Sequence, residues 1–225
     1  MKKTLTCLAL ACLGAHAAPM AGAAEIPLYE SGPAEDSSFI RFVDAGTQAV
    51  EVTAAGSKAK LALDASKPAS DFLPVRAGKP IEGTLTRGSA HQDVSATVKP
   101  GEFVSVVALE GEGGALSVVT MHESPDDFNA TKASVALYNL DARCGAPALK
   151  VAGRDIVLLD QVAEGQSKRR QINPVALGVQ LVCGAQAVGQ PLDLGTLVAG
   201  QRYTVFLVPA GQGSRIFYAT DSVAH

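Results

Sequence analysis

Short segments in which hydrophobic and polar residues alternate run through the chain from about residue 39 to its end. Gly, Pro and Asp separate these segments, and no window of about a dozen residues keeps the i, i+3, i+4, i+7 spacing of an amphipathic helix. Alternation with a period of two is typical of β-strands that bury one face. Many short strands with turns between them favour β-sandwiches, so we predict an all-β fold. The predicted strands lie at 39–43, 49–52, 103–107, 116–119, 134–138, 175–182, 203–208 and 216–218.

The order of these signals repeats once along the chain. Residues 40–45 correspond to residues 135–140 at an offset of 95, and residues 98–101 correspond to residues 198–200 at an offset near 99. In each copy a glycine-rich hairpin and a final strand follow. A repeat of this length has the size of a domain rather than of a solenoid unit. We therefore predict two tandem β-sandwich domains, either Ig-like or similar to carbohydrate-binding modules.

The N-terminus has the features of a cleaved signal peptide. Lys2 and Lys3 form a positive region, residues 4–14 are mostly apolar, and small residues at 21–23 suit a signal peptidase. Cleavage after residue 17 is an alternative. The apolar span of 11 residues is too short to cross a membrane. We predict a secreted chain, periplasmic in a Gram-negative source, with a signal peptide at 1–24, domains at 25–122 and 132–225, and a linker at 123–131.

Cleavage of the signal peptide leaves two of the four cysteines. Cys7 and Cys12 are removed, while Cys144 and Cys183 remain, 39 residues apart. Two cysteines in an oxidising compartment most often form one disulfide. A redox or nucleophilic thiol is the alternative, and it lacks the CxxC spacing that such sites commonly use. We predict a Cys144–Cys183 disulfide.

The composition excludes several classes of function. A formal net charge of −3 argues against nucleic acid as a partner, because nucleic-acid binding needs a basic surface. With 47% hydrophobic and 18% charged residues the chain is not typical of a disordered protein. The absence of Trp disfavours a module that stacks sugars on a large aromatic platform. An interaction protein is the class that remains.

Candidate catalytic and metal-binding residues do not form a recognisable motif. His91, His122 and His225 are not at metal-ligand spacing with another His or Cys, and no G-x-S-x-G motif occurs. We therefore predict no metal site, no cofactor and no catalytic residue. Asp221, Ser222 and His225 superficially resemble a hydrolase triad. A frayed terminus does not hold groups with catalytic precision, so we interpret these residues as a solvated tail.

The densest positive cluster is Lys168, Arg169 and Arg170, shortly before Asn173 and Pro174. The simpler interpretation is a solvated loop. The alternative is a docking patch for an acidic partner or an anionic polymer. Pro174 favours an extended Asn173 and keeps this edge from pairing with another chain.

Short motifs in a fixed order connect the chain with a known family. Leu28-Tyr29 follows the signal peptide, residues 38–41 precede Asp44-Ala45-Gly46, and Arg170 precedes residues 172–175. In these motifs, in their order and in the tandem β-domain layout, the mature chain resembles the AlgF family of periplasmic alginate O-acetylation proteins.

The resemblance implies a non-catalytic periplasmic adaptor that is needed for O-acetylation of a secreted polysaccharide. The implied partners are an SGNH-type periplasmic O-acetyltransferase and a membrane-bound O-acyltransferase, with weak binding of the polysaccharide itself as an addition. Three alternatives stay open: the same role in bacterial cellulose acetylation, a polysaccharide-binding module, and an acetyltransferase that uses Ser222 or His225. The candidate partner-binding residues are Arg41, Lys168, Arg169, Arg170 and Asn173.

Overall fold

The computed structural model describes residues 37–124 and 129–224, so the predicted signal peptide and the middle of the predicted linker lie outside the described residues. The described chain is all-β, as predicted: it has sixteen strands, one 3₁₀ turn at Glu112–Gly114 and no α-helix. The strands are β1 Ser37–Asp44, β2 Val50–Ala54, β3 Lys60–Leu63, β4 Leu73–Arg76, β5 Pro80–Arg87, β6 Ala90–Thr97, β7 Phe103–Glu110, β8 Leu116–Glu123, β9 Ala133–Asn139, β10 Pro147–Val151, β11 Val157–Asp160, β12 Ser167–Ile172, β13 Ala176–Cys183, β14 Gln186–Thr196, β15 Arg202–Ala210 and β16 Gly213–Thr220.

The strand order confirms the repeat that the sequence predicts. The first eight strands form two sheets in the orders β4-β1-β7-β8 and β3-β2-β5-β6, and the last eight form β12-β9-β15-β16 and β11-β10-β13-β14. Adding eight to every strand number in the first pair of sheets gives the second pair. In both copies the first strand runs parallel to the seventh, β1 with β7 and β9 with β15, while the other pairs are antiparallel.

Three hydrophobic clusters lie between the four sheets. One fills the first sandwich and includes Val52 and Val104, and another fills the second and includes Leu137 and Leu181. The third lies between the sandwiches and joins the β1 and β9 sheets. Because these two central sheets bury both faces, every residue of β9 is buried and its sequence shows no clean alternation. The members of the third cluster are Val43, Ala45, Val107, Leu109, Met121, Ala136, Tyr138, Leu140, Phe206 and Val208.

Half of the strands lie outside the segments that the sequence pattern predicts. Each of the eight predicted segments overlaps a strand, but β3 to β6, β10 to β12 and β14 are strands that the pattern does not predict. Several of these lie at sheet edges or face solvent, and their sequences are polar or contain Gly or Pro. The strand β12, with the sequence SKRRQI, is the clearest example, because its charges favour a loop or a surface patch.

The predicted disulfide is present in the second sandwich. Cys144 lies in the loop after β9 and is 3% exposed, while Cys183 ends β13. The two Cα atoms are 5.0 Å apart, and the bond joins residues that are 39 positions apart. It ties the loop that leaves the central β9 sheet to the outer sheet of the same sandwich.

Candidate functional site

The structure separates the five candidate partner-binding residues into two groups. The side chain of Arg41 is 0% exposed and that of Arg169 is 7% exposed, whereas Lys168, Arg170 and Asn173 are exposed. On β12 the side chains alternate between the two faces, so Arg169 points inward between two outward neighbours. The charges of Arg41 and Arg169 are therefore buried between the sandwiches and do not lie at the surface of the described chain.

The carboxylate of Asp221 binds two arginines from different sandwiches. Its Oδ1 lies 2.7 Å from Nη1 of Arg41, and its Oδ2 lies 2.9 Å from Nη2 of Arg169. The hydroxyl of Thr204 donates to the same carboxylate at 2.8 Å. The Asp221 side chain is only 4% exposed. The interpretation of Asp221 as a solvated tail residue is therefore wrong: the tail is anchored because its carboxylate neutralises two buried cations.

Glu123 is a second carboxylate that binds Arg169. Its carboxylate forms a two-pronged ion pair with that guanidinium, in which Nη2 and Oε2 are 3.0 Å apart. Arg202 donates to Oε1 at 2.9 Å, and the hydroxyl of Tyr138 donates to Oε2. Glu123 is the last residue of β8 and its side chain is 10% exposed, although it is also the first residue of the predicted linker. We call Arg41, Glu123, Arg169, Arg202 and Asp221 the inter-sandwich charge network.

Arg41 is held by the first sandwich and neutralised by the second. Its Nε donates to Ser105 on the neighbouring strand β7 at 2.8 Å. Its guanidinium carbon lies 4.3 Å from the ring centroid of Phe72 and 5.2 Å from that of Phe206, distances at which the ring faces attract a cation. Its Nη2 is buried without a hydrogen-bond acceptor among the described residues. Among those same residues, Asp221 is the carboxylate that forms an ion pair with this buried cation.

Glu123 and Asp221 occupy equivalent positions of the two repeats. Ser105 pairs with Met121 in the first copy and Thr204 pairs with Ala219 in the second, so the second residue beyond each of these partners is Glu123 or Asp221. Their offset of 98 agrees with the repeat, and a serine follows each acid. The repeat offset is therefore the sequence signal from which both acids could have been predicted. The residues around them resemble a linker and a tail, so local composition does not reveal their role.

Burial and opposite charges together set the ionisation of these groups. Burial disfavours the charged form of Asp221, but Arg41, Arg169 and the Thr204 hydroxyl outweigh it and hold the pKa of that carboxyl below its ordinary value. Burial raises the pKa of Tyr138, and the negative charge of Glu123 raises it further. At neutral pH Asp221 is therefore ionised, while Tyr138 is a neutral phenol.

These shifts predict how stability depends on pH. Asp221 has a lowered pKa when folded, so its contribution is complete above the unfolded value of about 3.9 and is lost as the pH falls through the folded value. Tyr138 has a raised pKa, so its contribution is complete below about pH 10 and is lost at higher pH. We expect the urea midpoint to fall below about pH 4 and above about pH 10. Tyr138→Phe should flatten the alkaline fall only; an unchanged alkaline fall would contradict the assignment.

A second buried ion pair explains a motif of the sequence. Asp44 Oδ1 lies 2.5 Å from Nη2 of Arg87, whose Nη1 also donates to the carbonyl of Leu109 at 2.9 Å. A Cβ at Gly46 would lie only 2.4 Å from the guanidinium carbon of Arg87. The Asp44-Ala45-Gly46 sequence thus provides the acid and the space for one buried arginine.

Of the exposed candidates, Lys168 and Arg170 lie where β11 and β12 meet, whereas the side-chain oxygen of Asn173 accepts from Nζ of Lys132 at 2.5 Å. Nη1 of Arg170 donates to the carbonyls of Val157 and Leu158, at 3.3 and 3.2 Å, and Nζ of Lys168 donates to the carbonyl of Asp160 at 2.8 Å. These bonds leave both charges without a carboxylate partner in the part of the chain that the structure describes. Three large apolar residues close to these strands in sequence, Ile156, Val157 and Val175, are also exposed. We call the following residues the β11–β12 face: Ile156, Val157, Lys168, Arg170, Asn173 and Val175.

Three further features of residues 37–124 and 129–224 concern metal binding, membrane spanning and the candidate serine. In that part of the chain no cluster of three or more His, Cys, Asp or Glu side chains could hold a metal ion. No helix within it is long and apolar enough to span a membrane. The Ser222 hydroxyl donates to the carboxylate of Asp71. His225 lies outside the described residues.

Comparisons with known proteins identify the family to which this chain belongs. Residues 8–204, more than half of the chain, match the family model described as alginate O-acetyl transferase AlgF. The C-terminal domain of AlgF from P. aeruginosa is 25% identical, with a TM-score of 0.35, over 40% of this chain and 98% of that one. Putative cell adhesion proteins from Bacteroides uniformis ATCC 8492 and Bacteroides ovatus ATCC 8483 are 10% and 11% identical, with a TM-score of 0.29 each, over 86% of this chain and 100% and 99% of theirs. No curated protein matches the chain.

The fold and its network define a class of protein: two topologically equal β-sandwiches, joined by a hydrophobic layer and a buried charge network. Within this class the chain belongs to the AlgF family. Membership supports a role in alginate O-acetylation. The structural likenesses have low TM-scores and add no functional argument.

Proposed function

We propose that this protein is a non-catalytic periplasmic adaptor for alginate O-acetylation. In this role it binds an SGNH-type periplasmic O-acetyltransferase and places it near a membrane-bound O-acyltransferase, so that acetyl groups pass efficiently to the polymer. The family description supports the process, and the β11–β12 face supports the adaptor role.

The observation that carries the proposal is the composition of the β11–β12 face. Ile156 is 51% exposed, Val157 40% and Val175 50%, and the cations of Lys168 and Arg170 lie on the neighbouring strand. Protein interfaces combine exposed apolar side chains with arginine, and charges around them steer a partner of opposite charge. The surface therefore suits an acidic protein partner with an apolar centre.

A second feature suits a scaffold. The hydrophobic layer and the charge network join the sandwiches along their central sheets, so the two outer sheets are presented as parts of one body. Two enzymes bound to these sheets would be held close together, which raises the effective concentration of one for the other.

The adaptor proposal predicts a charge-dependent complex with the acetyltransferase. We expect the double variant Lys168→Glu/Arg170→Glu to weaken binding of the purified periplasmic O-acetyltransferase by about tenfold or more, mostly through faster dissociation. Biolayer interferometry with immobilised protein measures this effect. The matched control is Lys58→Glu/Lys79→Glu, which makes the same change of charge at exposed residues of the first sandwich. Equal loss in both variants, or no binding by the unchanged protein, would overturn the proposal.

If Ser222 were the nucleophile of an acetyltransferase, Ser222→Ala would abolish acetylation. An acyl-transfer serine needs a base that takes its proton and a group that orients that base. Here the Ser222 hydroxyl donates to Asp71, and Asp221 is engaged by Arg41 and Arg169. The adaptor proposal therefore predicts that Ser222→Ala keeps full activity in acetylation.

A further inference from the structure

An apolar cavity opens at the β3–β4 edge of the first sandwich, and neither the charge network nor the β11–β12 face uses it. It has a volume of about 420 Å³. One wall comes from the central sheet and includes Ile40, Phe42 and Val106, while the other comes from the outer sheet and includes Val52 and Ala96. These five residues belong to the hydrophobic core of the sandwich, so the cavity reaches from the edge to the core.

The second sandwich shows that the same edge can be closed. Its equivalent strands are β11 and β12, and there the side chains of Lys168 and Arg170 reach from β12 to carbonyl groups of β11. In the first sandwich no side-chain hydrogen bond joins β3 to β4 among the described residues, and Lys60 of β3 binds Glu51 on β2 instead. The open edge is therefore a property of the first copy and not of the topology that both copies share.

The lining of the cavity favours a linear hydrocarbon chain. Apolar walls that are open to water are unfavourable, and packed interiors seldom contain voids larger than a water molecule. Packed sheets are about 10 Å apart, so the space between them admits a chain or a flat ring. Phe42 is the one aromatic side chain among the lining residues, and the rest of the deep wall is aliphatic, which offers little to a stacked ring.

The charges near the opening favour an anionic end on that chain. Lys58, Arg76 and Lys79 are exposed, and each lies within two residues of a lining residue. No carboxylate of the described residues forms an ion pair with any of them. Glu82 is the one acid among the lining residues, so these unpaired cations outnumber it three to one. This local excess of positive charge contrasts with the net negative charge of the whole chain.

We propose that this cavity binds a single-chain fatty acid, with the hydrocarbon chain between the sheets and the carboxylate at the opening near Lys58, Arg76 and Lys79. The volume is in the range of small-molecule sites. Aliphatic walls would bury the chain, and the unpaired cations would attract the carboxylate. The inference goes beyond the adaptor role and does not depend on it, because the β11–β12 face lies in the other sandwich.

Titration calorimetry with decanoate, dodecanoate and tetradecanoate, each below its micelle concentration, tests the inference on the intact, delipidated protein. Each added methylene that enters the cavity should tighten binding by about fourfold. Ala96→Phe fills part of the cavity from the β6 wall, so it should weaken dodecanoate binding by about tenfold or more. If that variant does not fold, the chain-length series on the unchanged protein still decides.

A pair of charge variants tests the anionic end. Lys58→Glu/Lys79→Glu should weaken dodecanoate binding by about fivefold at low salt and by less at high salt, because charges at the opening are screened. The matched control is Lys168→Glu/Arg170→Glu, which makes the same change of charge in the other sandwich and should bind dodecanoate as the unchanged protein does.

Three results would overturn the inference: no binding of any of the fatty acids, an affinity that does not depend on chain length, or equal weakening by the two charge variants. The first result would leave the cavity for the apolar side chains of a protein partner. Since the two charge variants are expected to have opposite effects on the fatty acid and on the acetyltransferase, the same proteins separate this site from the adaptor role. Fatty-acid binding without an enzyme complex would reject the adaptor role and keep the cavity.

Discussion

Replacing Asp221 with Asn should lower the free energy of unfolding by about 3–5 kcal/mol. The change removes the negative charge that faces Arg41 and Arg169, and no other described carboxylate forms an ion pair with Arg41. Removing one partner of a buried pair leaves an uncompensated charge in a low dielectric. This destabilises the fold much more than replacing both partners with apolar residues would. For a chain of this length the melting temperature should fall by about 6–20 °C.

Urea denaturation followed by circular dichroism measures this loss. Asp155→Asn is the matched control, because Asp155 binds Lys150 at the surface with a side chain that is 91% exposed. That variant should unfold at the midpoint of the unchanged protein. If Asp221→Asn were equally silent, the network would contribute nothing to joining the sandwiches, and the tail would be dispensable.

Replacing both Cys144 and Cys183 with Ser should cost about 4 kcal/mol, because the bond closes a long loop, with a sequence separation of 39, in the unfolded chain. The loss should appear in the second sandwich, where both residues lie. Reducing the unchanged protein with dithiothreitol should shift its midpoint to that of the variant, while the variant itself should not respond. Two free thiols in the untreated protein, with no response to reductant, would refute the disulfide.

The sequence predicts the class of the fold because the core strands carry a clear pattern. In β15, for example, an unbroken run of hydrophobic and β-branched residues between a Gly-containing turn and a hairpin leaves little choice but a buried strand. The repeat follows from the same strands. Strands with charged or Pro-containing sequences, such as β12 and β4, carry no such pattern because tertiary pairing, not local preference, makes them strands.

The charge network could not be predicted from composition alone. Glu123 and Asp221 stand at the ends of their strands, among residues that resemble a linker and a tail, so a solvated position is the natural expectation. Their burial depends on packing between two sheets that are far apart in sequence. Arg169 shows the same limit: nothing local distinguishes it from Lys168, and only the register of β12 against β9 turns it inward.

The disulfide and the exposed position of the cations could be predicted from the sequence without knowledge of the strand pairing. The predicted removal of residues 1–24 would leave Cys144 and Cys183 to pair, and the structure contains this disulfide. The exposed positions of Lys168, Arg170 and Asn173 agree with a surface role, but their part in binding a partner stays a prediction.

The central claim is that this protein supports alginate O-acetylation without carrying out the chemistry itself. The most direct test is the acetyl content of alginate secreted by a producing bacterium whose own copy of the protein is deleted and replaced by variants of this chain. Ser222→Ala should restore full acetylation, while Lys168→Glu/Arg170→Glu, expressed and folded at the same level, should leave the polymer largely unacetylated. Full acetylation with the double charge variant and none with Ser222→Ala would contradict the account.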